Sequence, residues 1–114
     1  MKVFLLFFAA LVLFSYRWIF FQNYDASYMQ NLYDHSQWNI PLSPRIMGDA
    51  ELYQLSGYLL LHGDSPFHIN PETPPLGKYL YGISIVLFGN AYYASLFIYA
   101  VVWLLFLYLS SLLL

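Results

Sequence analysis

Two acidic residues, Asp49 and Glu51, stand close together near the middle of the chain, and a single lysine, Lys78, follows a proline pair further on. A carboxylate at a membrane surface can act as general base toward a hydroxyl if its environment holds its pKa near the working pH. A lysine at the end of an apolar helix can hold a phosphate as a compact positive charge. Together these residues suit group transfer from a phosphate-linked lipid donor.

Each of these residues also has a simpler structural interpretation. Asp49 and Glu51 are the residue types that favour the positive N-terminal end of a helix. Lys78 can extend its side chain to the lipid headgroups and set the depth of a helix. Three other candidates are His62, His68 and Glu72. The chain between them is interrupted by prolines, and their spacing matches no established metal-ligand pattern, so no metal site is expected from them.

The composition restricts the class of protein that can carry these residues. Of 114 residues, 61% are hydrophobic and 9% are charged, whereas a soluble domain has about 25% charged residues. The chain has no cysteine, which excludes disulfides and thiolate catalysis. A formal net charge of −2 gives no electrostatic case for binding nucleic acid. An integral membrane protein with an all-α fold is the expected class.

The apolar stretches predict about three transmembrane helices, over residues 3–21, 76–89 and 91–114. The first is about 28 Å long as a helix, and the absence of a small-residue cleavage site after it favours an uncleaved anchor over a secretory signal. The second is short and ends at the tight-turn signal Gly89-Asn90. The third reaches Leu114 without a flanking charge, which predicts that the natural chain continues.

A long polar loop, residues 22–75, separates the first two predicted spans. Residues 22–77 hold all six acids and one cation, Arg45, which gives a formal net charge of −5. Within this loop Ser43-Pro44 resembles a helix start and Gly63 a helix end. Leucines at helical spacing between them predict an amphipathic helix over about 44–62, lying in the membrane interface with its apolar side toward lipid or the helix bundle. Loops of this length tend to carry function.

Three segments of the sequence resemble one known family. They read GDAELY at 48–53, PPLGKYL at 74–80 and LFGN at 87–90. They are similar to the N-terminal part of the dolichyl-phosphate-mannose protein mannosyltransferases and of their bacterial relatives, which use polyprenyl-phosphate sugars. The resemblance covers essentially the whole chain. It implies a multi-span GT-C fold in the cell membrane, with a cytoplasmic N-terminus, a large external loop and a cytoplasmic turn at Gly89-Asn90.

The resemblance also implies roles for individual residues. Asp49 would be the catalytic base, with Glu51 as the other candidate because Ala50 separates two acids that are commonly adjacent. Lys78 would bind the donor phosphate, and Glu72 and Tyr53 would support the site or bind the acceptor.

The expected function is transfer of a mannose-like hexose or a pentose from a polyprenyl-phosphate donor to an acceptor hydroxyl. The acceptor would be a protein, a lipid or a polysaccharide. Arg45, or a divalent metal ion attracted by the acidic loop, would assist Lys78. The main alternative is a small non-catalytic membrane subunit whose acidic loop binds a partner. A pore or transporter is disfavoured, because only Arg17 and Lys78 are charged within the spans and both lie near span ends.

Overall fold

The computed structural model describes residues 2–112, apart from the side chains of Lys2, Leu5 and Ala9. This part of the chain forms helices and no strands, which confirms the predicted all-α class. In chain order the helices are α1 (Lys2–Ser15), α2 (Trp18–Phe21), α3 (Ala26–Asp34), α4 (Asp49–Leu61), α5 (Pro75–Phe88) and α6 (Tyr92–Leu112). Residues 22–91 form a packed unit, called the head below, and α1 and α6 are its two arms.

Helix α6 is long and apolar enough to cross a membrane. Its 21 residues have a mean hydropathy of 2.1, and a helix of that length rises about 31 Å, close to the thickness of the hydrocarbon layer. Almost all of its side chains beyond Ser95 are exposed. Membrane association is therefore supported by α6, the only helix in residues 2–112 that meets both the length and the hydropathy requirement.

The first predicted span, 3–21, is divided at Tyr16 and Arg17. The Arg17 guanidinium donates to the Phe14 carbonyl at 2.9 Å and lies 4.2 Å from the centre of the Phe14 ring. The Ser15 hydroxyl donates to the Leu11 carbonyl at 2.8 Å. Side chains that donate hydrogen bonds to backbone carbonyls in this way compete with the backbone hydrogen bonds of the helix. The chain then continues through the short helix α2, which is bonded in part by tighter three-residue turns.

Helix α4 begins at Asp49, five residues later than the predicted start at Pro44. Gly48 is the N-cap in an extended conformation, and its backbone N–H donates to the Glu51 carboxylate at 3.1 Å. Leu42 has a φ of 66°, which keeps the Ser43-Pro44 segment irregular. The predicted end is confirmed, because Gly63 follows the helix with a φ of 92°.

The core of the head lies between α3, α4 and the loop that follows α4. It consists of Met29, Met47, Leu52, Leu55 and Ile69, each at most 6% exposed. The apolar face of α4 therefore packs against protein, with Leu52 and Leu55 each 1% exposed. Of the two predicted surroundings of this face, lipid or the helix bundle, the structure has the face packed against protein.

Helices α4 and α5 cross with their backbones in direct contact at Gly57 and Gly82. A Cβ on Gly57 would overlap the carbonyl oxygen of Lys78, and a Cβ on Gly82 would overlap the carbonyl oxygen of Gly57. Glycine at both positions permits this approach, as in close helix pairs of membrane proteins. The crossing places the first turn of α5, and Lys78 in particular, beneath the loop that follows α4.

The turn between α5 and α6 contacts the end of the first apolar segment. The Tyr24 backbone N–H donates to the Gly89 carbonyl at 2.8 Å, and the Asn90 side-chain amide donates to the Ile19 carbonyl at 2.7 Å. The expected topology placed these two points on opposite sides of the membrane. In the structure the two points are in contact, because α5, about 21 Å long as a 14-residue helix, returns the chain to where α2 ends.

Candidate functional site

The two acids at the start of α4 have different surroundings. Glu51 is half-buried, and one of its carboxylate oxygens accepts the Gly48 N–H, which fixes the helix start. Asp49 is exposed, and its carboxylate makes no hydrogen bond or ion pair with any residue from 2 to 112. The carboxylate of Asp49 is therefore the one free to accept a proton from a ligand.

The segment that leads into α4 is anchored by its backbone. The Met47 carbonyl accepts hydrogen bonds from the Gln37 side-chain amide at 2.7 Å and from the Trp38 indole N–H at 3.0 Å, and the Met47 side chain is 1% exposed. Arg45, two residues earlier, is exposed and forms no hydrogen bond or ion pair within the described residues. The guanidinium therefore lies four residues before Asp49 on a backbone held in place.

Lys78 is the most deeply buried charged residue that the structure describes, at 1% exposure. Its ammonium donates to the carbonyls of Pro66 at 3.3 Å and Ile69 at 3.1 Å, and to the carbonyl of Asn70. An ammonium has three donors, and here each has a backbone partner. Asn70 has a φ of 54°, so the lysine also stabilises a turn that L-residues rarely adopt.

The expected role of Lys78 in binding the donor phosphate would compete with these contacts. A phosphate would have to displace three backbone carbonyls, one in a buried bond and two in partly buried ones, and carbonyls left unpaired inside a protein are costly. In this structure Lys78 organises the loop between α4 and α5. Arg45 is the sequence-predicted cation that remains accessible.

A polar cavity of about 270 Å³ lies beside the first turns of α4. Residues of three kinds surround it: the carboxylates of Asp25 and Glu51, three amide side chains, and the rings of three tyrosines over an apolar base. The lining residues are Gln22, Asn23, Tyr24, Asp25, Tyr28, Met29, Leu32, Ile46, Glu51, Gln54, Ala91 and Tyr92. This α3–α4 cavity therefore joins Glu51 to residues of α3 and to the start of α6.

Two groups at this cavity have pKa values moved in opposite directions. The Asp25 carboxylate accepts the Tyr28 N–H at 3.0 Å and the Ser27 hydroxyl at 2.7 Å as the N-cap of α3, and these bonds lower its pKa below 3.8. Burial raises the pKa of the Tyr24 hydroxyl well above its usual range, with Tyr58 and Asp25 adding to the effect. At neutral pH the cavity thus presents a charged carboxylate and a neutral phenol.

Glu72 lies at a second cavity, on the other side of α4. This cavity has a volume of about 210 Å³, and Glu72 lines it together with Tyr33, Trp38 and His68. His68 pairs with Asp64 at 2.7 Å, and this bond is the largest cause that lowers the pKa of Asp64. Glu72 and Glu51 therefore serve different cavities, and the structure does not bring all the predicted site residues together.

Tyr53 lies at the contact between α4 and α5. Its ring packs on the backbone at Gly77, where an added Cβ would lie 3.2 Å from the Tyr53 ring, and its centroid is 6.5 Å from that of Tyr81. The ring thus supports the start of α5, and Tyr53 lines neither of the two cavities described above.

The residues from 2 to 112 bring no three histidine, aspartate or glutamate side chains into an arrangement that would hold a metal ion. Asp25 and Glu51 share a cavity, which brings two carboxylates together and no third ligand among the described residues.

The comparisons with known proteins identify no relative. No protein-family model matches the chain, and no curated protein or solved structure is significantly similar to it.

Sequence reasoning missed the cavity residues on α3 and α6. The segment 22–39 has no clear hydrophobic period, although Asp25 before the run Ala26–Asp34 is a recognisable N-cap signal. The contribution of Tyr92 depends on the contact between Ile19 and Asn90, residues 71 positions apart. No local pattern contains that information.

Proposed function

We propose that this chain is the N-terminal part of an integral-membrane glycosyltransferase that uses a polyprenyl-phosphate sugar. The sugar would be a mannose-like hexose or a pentose, and the acceptor a hydroxyl on a protein, lipid or polysaccharide. The observation that carries the proposal is the state of Asp49: an exposed carboxylate with no described partner, at the start of a helix whose backbone is fixed by Glu51, Trp38 and Gln37. The similarity of residues 48–53 and 74–80 to lipid-dependent mannosyltransferases supports the same assignment.

In the proposed reaction Asp49 acts as general base in a single displacement. Its carboxylate takes the proton of the acceptor hydroxyl while the hydroxyl oxygen bonds to the anomeric carbon. The bond from that carbon to the phosphate oxygen breaks, the polyprenyl phosphate leaves with the electron pair, and the anomeric configuration inverts. General-base assistance of this kind is worth about 10²- to 10⁴-fold in rate.

The leaving phosphate needs a cation, and we assign that role to Arg45 rather than Lys78. Arg45 is exposed and four residues from Asp49, whereas all three donors of Lys78 have backbone partners. A guanidinium can donate two parallel hydrogen bonds to a phosphate. Lys78 then acts indirectly, by holding the loop that carries Asp64, His68 and Glu72.

The membrane arrangement that fits the contacts has two spans in this chain. The end of α2 and the start of α6 meet at Ile19 and Asn90, so α1–α2 and α6 leave the head from one place. We propose that both enter the membrane there, with a cytoplasmic N-terminus and the head on the external surface. The donor lipid would then reach the head from the outer leaflet.

The test is sugar transfer in membranes that contain the complete product of the gene. Polyprenyl-phosphate mannose and a polyprenyl-phosphate pentose are supplied as labelled donors, and transfer to endogenous acceptors is measured. Asp49→Asn should reduce transfer by about 10²-fold or more, whereas Asp34→Asn, at an exposed acid whose carboxylate accepts a bond only from Gln30, should not. Arg45→Gln should raise the donor KM more than the acceptor KM.

Two results would overturn the proposal. Unchanged turnover in Asp49→Asn, with normal insertion, would remove Asp49 from catalysis. Absence of transfer by the wild-type protein with both donors would favour the alternative of a non-catalytic membrane subunit.

A further inference from the structure

The loop that leads into α4 contains a leucine that neither the backbone nor the packing accounts for. The Ser43 N–H donates to the Ile40 carbonyl at 3.2 Å, which closes a β-turn with Pro41 at its second position. Leu42 occupies the third position with a φ of 66°, where such a turn favours glycine or asparagine. The Leu42 side chain is fully exposed, so no burial offsets the strain. A contact with a partner outside the described residues accounts for both features.

The segment 38–46, called the 38–46 loop below, presents further apolar side chains on a fixed base. Ile40 and Ile46, on either side of the turn, are 46% and 45% exposed. The base is closed by the Trp38 indole, which donates to the Met47 carbonyl at 3.0 Å while the ring stays partly exposed. Exposed apolar side chains that are grouped on one loop, rather than scattered singly, indicate an interaction site.

The end of the 38–46 loop lies beside the start of α6. Ile46 lines the α3–α4 cavity together with Ala91 and Tyr92, and Tyr92 is the first residue of α6. The Tyr92 ring packs edge-to-face on the Trp18 ring, with centroids 5.4 Å apart. Tryptophan and tyrosine are enriched at the level of the lipid headgroups. The loop therefore ends near the point where α6 enters the membrane in the proposed arrangement.

The charge of the 38–46 loop indicates a partner that carries phosphate. Arg45 is exposed, and its guanidinium makes no hydrogen bond or ion pair within the described residues. It is the one cation among residues 22–77, so this loop is the part of an acidic segment that suits an anion. A guanidinium donates two parallel hydrogen bonds to a phosphate. Docking on a membrane depends on buried apolar area together with attraction to anionic lipids, and the loop supplies both.

We propose that the 38–46 loop docks on the lipid bilayer beside α6, with Ile40 and Leu42 in the acyl layer and Arg45 at the headgroup phosphates. Amphipathic segments at membrane surfaces reach about 5–10 Å into the boundary of headgroups and acyl chains. The docking rests on the part of the proposed function that places α6 in the membrane and the head outside, and it requires no sugar transfer. It fixes the height above the membrane at which α4 begins.

Lipid contact of the loop can be measured on single labelled cysteines, because the chain has no cysteine of its own. The chain is reconstituted in nanodiscs of zwitterionic lipid, or of that lipid mixed with phosphatidylglycerol. A fluorophore on Ile40→Cys should be quenched by lipids that carry a nitroxide on the acyl chain. The same fluorophore on Asn31→Cys, at an exposed residue of α3, should not be quenched. Val102→Cys, in α6, is the positive control for a residue within the bilayer.

Leu42→Gly separates docking from local folding. Glycine adopts a positive φ without strain, so the turn should be kept. Loss of the leucine side chain should nevertheless lower the ratio of docked to undocked loop about tenfold or more. Phe67→Gly, at an exposed apolar residue of the loop after α4, is the matched control and should leave the ratio unchanged. Arg45→Gln should lower the ratio about fivefold in discs with phosphatidylglycerol, and far less in zwitterionic discs.

The outcomes separate this inference from the proposed function. Quenching at Ile40→Cys no stronger than at Asn31→Cys, or unchanged by Leu42→Gly, overturns the docking even if the complete protein transfers sugar. A fluorescence shift that grows with protein concentration, without quenching by lipid, also overturns it in favour of a second copy of the chain. Quenching that depends on Leu42, in a complete protein that transfers nothing, supports the docking and removes the glycosyltransferase. Should Leu42→Gly lose helical circular dichroism, Leu42→Asn decides, because asparagine also tolerates a positive φ.

Discussion

Leucines in the core of the head and in α6 have opposite surroundings although the two regions are joined directly. Leu52 in the core of the head is 1% exposed, packed among Met29, Met47 and Ile69, whereas Leu104 in α6 is 67% exposed. The core of the head covers its apolar side chains with protein, whereas almost all side chains of α6 beyond Ser95 are exposed. The comparison shows that hydrophobicity alone does not identify a membrane segment; what matters is whether the apolar side chains already have protein neighbours.

Helix α5 combines both environments. Lys78, Gly82 and Ser84 face the head and are buried, while Ile83 and Val86 are at least 44% exposed. The buried side carries Lys78 and Ser84 together with Ile85, and the exposed side is mainly apolar. Helix α5 is thus part of the head on one face and available to lipid on the other, which explains why hydropathy alone predicted it as a span.

The largest expected effect is on the membrane insertion of α6. Val102→Arg places a charge at the middle of α6, where insertion should become less favourable by about 3 kcal/mol. Ser110→Arg, near the end of the helix, should cost far less, because its side chain can reach the headgroups. The inserted fraction of each variant in microsomal membranes measures the difference. Equal insertion of the two variants would show that α6 is not a span.

Within the head, the largest loss of stability is expected from a substitution at the α4–α5 crossing. Gly57→Val forces a side chain against the backbone of Lys78 and Gly82, and overpacking against main chain should lower the free energy of unfolding by about 3 kcal/mol. Ala50→Val, at an exposed position of the same helix, should change it by less than about 0.5 kcal/mol. Thermal unfolding in detergent gives both values. A Gly57→Val protein as stable as Ala50→Val would contradict the close crossing.

A smaller loss of stability is expected when the buried Lys78 is replaced. Lys78→Met deprives three carbonyls of their donor, and the stability should fall by about 1–3 kcal/mol. The loosening should be confined to residues 64–73, where hydrogen exchange should accelerate. Arg45→Met, at the exposed cation, should leave exchange there unchanged. If Lys78→Met altered donor binding without loosening this loop, the lysine would have the phosphate role that we assign to Arg45.

The smallest effect concerns the cap of α3. The pKa of Asp25 is lower in the folded protein than its usual 3.8, chiefly through the Tyr28 N–H. The contribution of the Asp25 carboxylate to stability is therefore complete above the pKa that Asp25 has in the unfolded chain. It is lost as the pH falls through the lower pKa of the folded protein. Amide protection of α3 should weaken on acidification. Asp25→Ser keeps a cap without a titrating group, and an identical pH profile in that variant would exclude Asp25 as the cause.

The fold was predictable where local signals were strong. Pro74-Pro75 and Gly89 delimit α5 to within a residue of the predicted 76–89, and the uncharged run from Ala91 predicted α6. The predicted start of α4 was wrong. Ser43-Pro44 has the residue types of a helix start but lies in a segment whose irregular conformation is fixed by Leu42 and Met47. Local sequence does not reveal which of two start signals the tertiary contacts favour.

The site was predictable only in part. The simpler interpretation of Asp49 and Glu51, that they favour the N-terminal end of a helix, agrees with their place in the first turn of α4, but the difference between them arises from a single hydrogen bond to Gly48. The burial of Lys78 depends on the glycine crossing, and the α3–α4 cavity depends on the contact of Asn90 with Ile19. These are long-range consequences of packing, which residue types and spacing do not encode.

The central claim is that both arms leave the head from the same place and enter the same membrane. A topology measurement with reporters at Trp38 and after Leu112 tests it most directly, using one reporter active in the cytosol and one active outside the cell. The two-span arrangement predicts an external signal at Trp38 and a cytosolic signal after Leu112. External signals at both positions would restore a three-span arrangement and contradict the contact between Ile19 and Asn90.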